Sequence, residues 1–104
     1  GETQLNDLAQ LLLDISADIP DEIRWVLRID GHTDTRPIST PQFPSNWELS
    51  VARAISVARY LIDRGVSPNR LMAAGFGEFQ PLVDRDSNDA YRSNRRIELK
   101  LTER

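Results

Sequence analysis

Eight consecutive residues, Ile23 to Asp30, read IRWVLRID, and their alternation limits the fold more than any other feature of the chain. Ile23, Trp25, Leu27 and Ile29 interleave with Arg24, Val26, Arg28 and Asp30. A period of two puts successive side chains on opposite faces of a strand, so this one is expected to bury one face. Gly31 ends it. Helical stripes flank it on both sides. Upstream, Leu5, Leu8, Leu12, Ile15 and Ile19 recur in steps of three and four, and Pro20 stops the run. Downstream, Val51, Ala54, Ile55, Ala58 and Ile62 form the expected buried stripe of a second helix. That helix opens at Ser45, whose spacing to Glu48 is that of a capping box, and runs to Arg64 before Gly65. On this pattern Leu49 and Arg53 share a face that points away from the stripe.

Beyond VSPNR, a turn, LMAAGFG reads as a short buried strand. A long loop follows, with one helical turn near Asp89 to Ser93. The chain closes on a strand in which Ile97, Leu99 and Leu101 alternate with Arg96, Glu98 and Lys100. The fold class expected is α/β: a two-layer sandwich, its sheet mixed, with two main helices on one face. At 104 residues the chain is expected to be one domain, residues 1–104, and a fragment of a longer envelope protein. Three strands make a thin sheet, so a further strand upstream is expected.

Charge and residue usage narrow the chemistry. Thirteen Lys and Arg against sixteen Asp and Glu leave a formal net charge of −3, a poor match for nucleic acid or an anionic membrane, though a local cationic patch remains compatible. With no Cys and one His, thiolate and His-rich metal sites are excluded. The longest apolar run, Leu71 to Ala74, is far too short to insert in a bilayer.

The polar connection from His32 to Ser45 carries three of the six prolines, and compact domains seldom spend so long a loop without a use for it. Asp30, His32 and Asp34 alternate but lack the second His that iron or zinc sites recruit. His32 with Asp34 and Ser39, Ser45 or Ser50 lacks a nucleophile elbow. Asp34 and Glu48 are the only carboxylates flanking the loop, and Glu48 already serves the cap. GFGEF lacks the residues of a phosphate loop, and RSNRR without aromatic interleaving reads as a solvated helix end. Two readings of Asp34 and Arg53 stay open: a surface salt bridge, or a site in which Asp34 takes an ammonium and Arg53 a carboxylate.

These residues lie in a joint pattern. GHTDT, NWELSVARA, GVSPNRLMAAGFGEFQP and SNRRIEL together resemble the OmpA C-terminal-like peptidoglycan-binding domain, from about Ile23 to Leu101. RPI and SNWELS are similar to the branch that includes the flagellar stator protein MotB. The resemblance implies a periplasmic, cofactor-free, non-enzymatic domain of a Gram-negative cell envelope. It implies non-covalent binding of peptidoglycan through the meso-diaminopimelate of the peptide stem, and a parent protein anchored in the outer or inner membrane. Carried over position by position, Asp34 and Arg53 grip the diaminopimelate tip, Thr33 holds the loop, and Asn46 and Leu49 line the pocket. Gly31 and His32 belong to the structural part of the motif, Asn94 and Arg95 brace the loop, and Arg96 lies near the ligand. The alternatives are a MotB-type stator component, a cell-wall hydrolase and a protein-binding module. Family domains open with a strand before the first helix. Its absence here would leave a sheet edge for a second copy, hence a homodimer. The long Thr35 to Ser45 loop also departs from the shortest family members and would reshape the pocket.

Overall fold

The computed structural model describes residues 2–103; Gly1 and Arg104 lie outside the described residues. Helix α1 spans Glu2–Asp18, strand β1 Trp25–Gly31, helix α2 Asn46–Asp63, strand β2 Leu71–Gly75, helix α3 Asn88–Asn94 and strand β3 Ile97–Glu103. A 3₁₀ turn at Pro68–Arg70 precedes β2. The sheet runs β2-β1-β3, with β1 central, parallel to β2 and antiparallel to β3. A parallel pair needs a crossover, and α2 supplies it. The architecture is therefore α/β with a mixed sheet, as expected.

Both long helices cover one face of β1. Ala9 and Leu12 of α1, Trp25, Leu27 and Ile29 of β1, Ala54 and Leu61 of α2, and Val66 form one buried cluster. The start of β1 is tied to the turn before β2 by Arg70, which donates to the carbonyls of Ile23 and Trp25 and lies 4.7 Å over the Trp25 ring. Helix α2 ends in a Schellman motif: Gly65 N–H bonds Ile62 O at 2.9 Å and Val66 N–H bonds Leu61 O at 3.1 Å. Gly65 sits at φ +104°, where a side chain would strain.

Four expectations are corrected. First, β1 buries both faces: Val26 and Asp30 are as enclosed as Leu27, and Ile23 falls outside the strand, exposed. The strand is paired on both edges, and Phe76, beyond β2, lies against Arg28 and His32 on its second face. Second, the buried residues of α2 are Asn46, Ser50, Ala54 and Leu61, while Val51, Ile55 and Ile62 are each 37% exposed. The inward face is turned by about one residue step, roughly 100°. Arg53 consequently flanks the buried face instead of opposing it. Third, β2 is an edge strand with Met72 and Ala73 exposed. Fourth, β3 places Leu99 and Leu101 opposite Ile29 and Leu27, yet they are 42% and 56% exposed. Helix α2 packs over β1 and β2, leaving them uncovered. The outer edge of β3 pairs with no strand among the described residues.

Sterics explain how close α2 comes to the sheet. A Cβ on Gly31 would collide with the backbone carbonyl of Ser50, and one on Gly75 with the Val51 side chain. Ser50 is fully buried at this crossing, and its hydroxyl donates to Trp47 O and accepts from Gly77 N–H.

Candidate binding site

The end of β1 is pinned between both neighbouring segments. His32 N–H donates to Arg96 O and Thr33 N–H to Gly77 O, each at 2.9 Å. Thr33 Oγ1 donates to Asp34 O at 3.0 Å. The backbone therefore leaves the sheet with Asp34 at a fixed place. Across from it α2 begins. Ser45 caps it, accepting from Trp47 N–H and donating to Glu48, so Glu48 holds the cap hydroxyl instead of the reciprocal backbone bond of a capping box. Asn46, Leu49 and Arg53 share one side of α2. Asn46 Nδ2 reaches Asp34 O at 3.3 Å and Arg36 O at 3.1 Å, which stitches the outgoing loop to the helix start.

Between these elements lies a hollow of about 380 Å³, lined by Thr33, Asp34, Arg36, Pro37, Ile38, Asn46, Leu49, Arg53 and Arg95. Asp34 is only 5% exposed, yet amply partnered. Its Oδ2 accepts from Arg36 Nη2 at 2.6 Å, Arg36 Nε at 3.0 Å and Arg95 Nη1 at 2.8 Å, and its Oδ1 accepts from Arg36 N–H at 2.9 Å. Burial alone would raise the carboxyl pKa. The hydrogen bonds from Arg36 and Arg95 outweigh burial and hold it below its usual value.

Arg53 is in the opposite situation. It is partly buried, and Nη1 donates to His32 O at 2.9 Å. Among the described residues no carboxylate lies within ion-pair distance of it. Desolvation, then the nearby Arg95, lower its pKa from the ordinary guanidinium value, without approaching deprotonation at neutral pH. The lining thus carries three guanidinium groups against one carboxylate.

Of the residues singled out in the sequence, Thr33, Asp34, Asn46, Leu49 and Arg53 line this hollow, and Arg96 does not. Arg96 turns to the other face of the sheet, bonding Glu98, Asn94 O and Gln80 O, while Arg95 faces the hollow. Adjacent residues entering a strand point to opposite sides, and the junction of α3 with β3 decides which is which. Asn94 braces the preceding loop: its Oδ1 accepts from Leu82 and Val83 N–H and its Nδ2 donates to Val83 O. His32 is buried away from the hollow, stacked on Phe76 at 5.0 Å with the rings 6° apart. Gly31 makes the close crossing with α2. Asp30 pairs with Arg28 at 2.7 Å, so Asp30, His32 and Asp34 do not converge. Sequence reasoning missed Arg36, Pro37 and Ile38. A signal for Arg36 existed: an Asp side chain readily accepts from the backbone N–H two residues on.

A model of the OmpA family matches residues 1–95. An uncharacterized Bacillus subtilis protein, YtxE, is 40% identical over 100 residues, covering 95% of this chain and 38% of that protein. The peptidoglycan-associated lipoprotein of Pseudomonas aeruginosa is 38% identical over 72 residues, covering 69% of this chain and 40% of that protein. The chain thus spans about two-fifths of the length of these curated relatives. Among solved structures, the C-terminal domain of Helicobacter pylori MotB superposes with a TM-score of 0.83 at 27% identity, over 99% of this chain and 74% of that one.

Proposed function

The chain belongs to the OmpA family, and from that premise we propose that it binds peptidoglycan non-covalently by seating the dipolar tip of a meso-diaminopimelate side chain in the hollow between β1 and α2. The observation that carries this reading is Arg53: a partly buried cation, held by one carbonyl and lacking an anionic partner among the described residues, faces a cavity large enough for an amino-acid side chain. A buried charge without a partner is costly, and a ligand carboxylate relieves that cost. Asp34 is the acceptor for the ammonium, and Leu49 and Ile38 offer apolar wall to the methylenes between the two charges. The name of the P. aeruginosa relative supports the choice of ligand. The role is anchoring, not catalysis, and fixes a longer periplasmic protein, of the stator or lipoprotein kind, to the wall.

Sacculus co-sedimentation tests the assignment. Diaminopimelate-type wall should retain the wild-type domain far better than lysine-type wall, whose stem lacks the terminal carboxylate. Arg53→Ala and Asp34→Ala should each weaken retention about tenfold or more, the scale of a charge-assisted hydrogen bond. Arg53→Lys should also weaken it, because a planar fork becomes a point charge. Unchanged retention in both alanine variants would refute the assignment.

A further inference from the structure

The hollow holds more positive charge than a dipolar tip can balance. One ammonium and one carboxylate add nothing to the sum, so three guanidinium groups still face one aspartate. The Asp34 carboxylate is also occupied, with three N–H donors converging on Oδ2. Arg36 N–H takes one side of Oδ1 as well, so an arriving ammonium competes with the guanidinium groups for this carboxylate. Arg36 donates most of the hydrogen bonds on Asp34 and is also the more exposed of the two guanidinium groups that hold it. Its side chain is 52% exposed, it stands on the Pro-rich loop, and its guanidinium lies 4.8 Å over the ring of Tyr91 on α3, a surface that can carry it once it lets go of Asp34. Arg95 is less exposed, at 41%, and its backbone closes the end of α3 with its N–H on Tyr91 O.

We propose that the hollow takes a net-anionic ligand, with one ammonium and at least two carboxylates, and that Arg36 exchanges Asp34 for the second carboxylate when the ammonium arrives. This rests on the wall-binding reading above and narrows it to peptide stems in which a second carboxylate is free. Arg36 is then a specificity-determining residue. It holds Asp34 in the empty hollow and reads the ligand's extra charge in the filled one.

Calorimetric titration with synthetic alanyl-γ-glutamyl-diaminopimelate tripeptides tests this. One peptide keeps every carboxyl free, one has the glutamyl α-carboxyl amidated, and one has the diaminopimelate main-chain carboxyl amidated. The wild-type protein should bind the free form about tenfold more tightly than at least one amide, and the amide that loses affinity identifies the second carboxylate. Arg36→Gln should bind all three with similar affinity. The Arg36 Nε–H resonance should shift when the free peptide is added, and shift less with the discriminated amide. Equal binding of all three by the wild type overturns the proposal. So does a preference that survives in Arg36→Gln, or a folded Arg36→Gln that binds none of them. If neither protein binds any peptide, the wall-binding reading itself fails, and this inference falls with it.

Discussion

Protonating His32 would place a charge on a ring that is 4% exposed and whose Nδ1 finds no hydrogen-bond partner among the described residues. Desolvation, then the Arg96 guanidinium, lower its pKa below the ordinary histidine value. Glu98 and Asp30 oppose this, and Lys100 adds to it. A histidine depressed in the folded state stays neutral there while the unfolded chain takes up a proton. The resulting stability is whole above the unfolded pKa, about 6.5, and is lost as pH falls from there toward the folded value. Asp34, also depressed, gives stability that is kept above the unfolded carboxyl pKa of about 3.9 and lost further down. The two windows are separate. Chemical denaturation should show wild-type stability declining from pH 7 to pH 5.5, and His32→Phe, which preserves a ring against Phe76, should flatten that decline. An equal slope in the variant would assign the effect elsewhere. At this scale the sequence was legible in which residues meet, as with Asp34 and Arg53, which line one hollow. It was illegible where a side-chain direction hangs on distant backbone, as with Arg95 against Arg96.

Helix α2 shows why apolar periodicity misplaced a face while finding its element. Val51, Ile55 and Ile62 repeat at helical spacing and dominate any hydrophobic count, yet the buried residues of the helix include Asn46 and Ser50, which are polar. Their burial is tolerated because each is hydrogen-bonded: Asn46 to the loop carbonyls, Ser50 to Trp47 O and Gly77 N–H. Small size matters as much as polarity, since the Ser50 carbonyl lies where a Gly31 side chain would be. The caps were readable because local chemistry alone sets them. The packed face was not, because it depends on a close approach between residues far apart in the chain. Gly31→Ala should therefore push α2 off the sheet, costing about 1–3 kcal/mol in denaturant unfolding. Because α2 carries Asn46 and Arg53, the same variant should lose wall retention under conditions where it is still folded. A Gly31→Ala protein with wild-type stability would show that this crossing is looser than described.

The whole molecule is acidic, with a formal net charge of −3, while the hollow collects three of its arginines around one aspartate. No local segment supplies that arrangement. Asp34 and Arg36 leave β1, Asn46, Leu49 and Arg53 ride on α2, and Arg95 arrives from the far end of the chain between α3 and β3. The site exists only when the β1 junctions with both neighbours are closed, so ligand binding and global folding have to be linked. A ligand that binds only the folded state at ten times its dissociation constant adds about 1.4 kcal/mol of stability. For a domain of this size that corresponds to a rise in Tm of about 6–11 °C. A diaminopimelate-containing stem peptide at that concentration should produce such a shift in thermal melting followed by circular dichroism. Arg53→Ala at the same peptide concentration should show almost none; its melt without ligand should fall only by the loss of the one hydrogen bond to His32 O, about 1 kcal/mol, since Arg53 joins no ion pair among the described residues. A wild-type curve that does not move with peptide, in a sample that still sediments with sacculi, would place the wall contact outside this hollow.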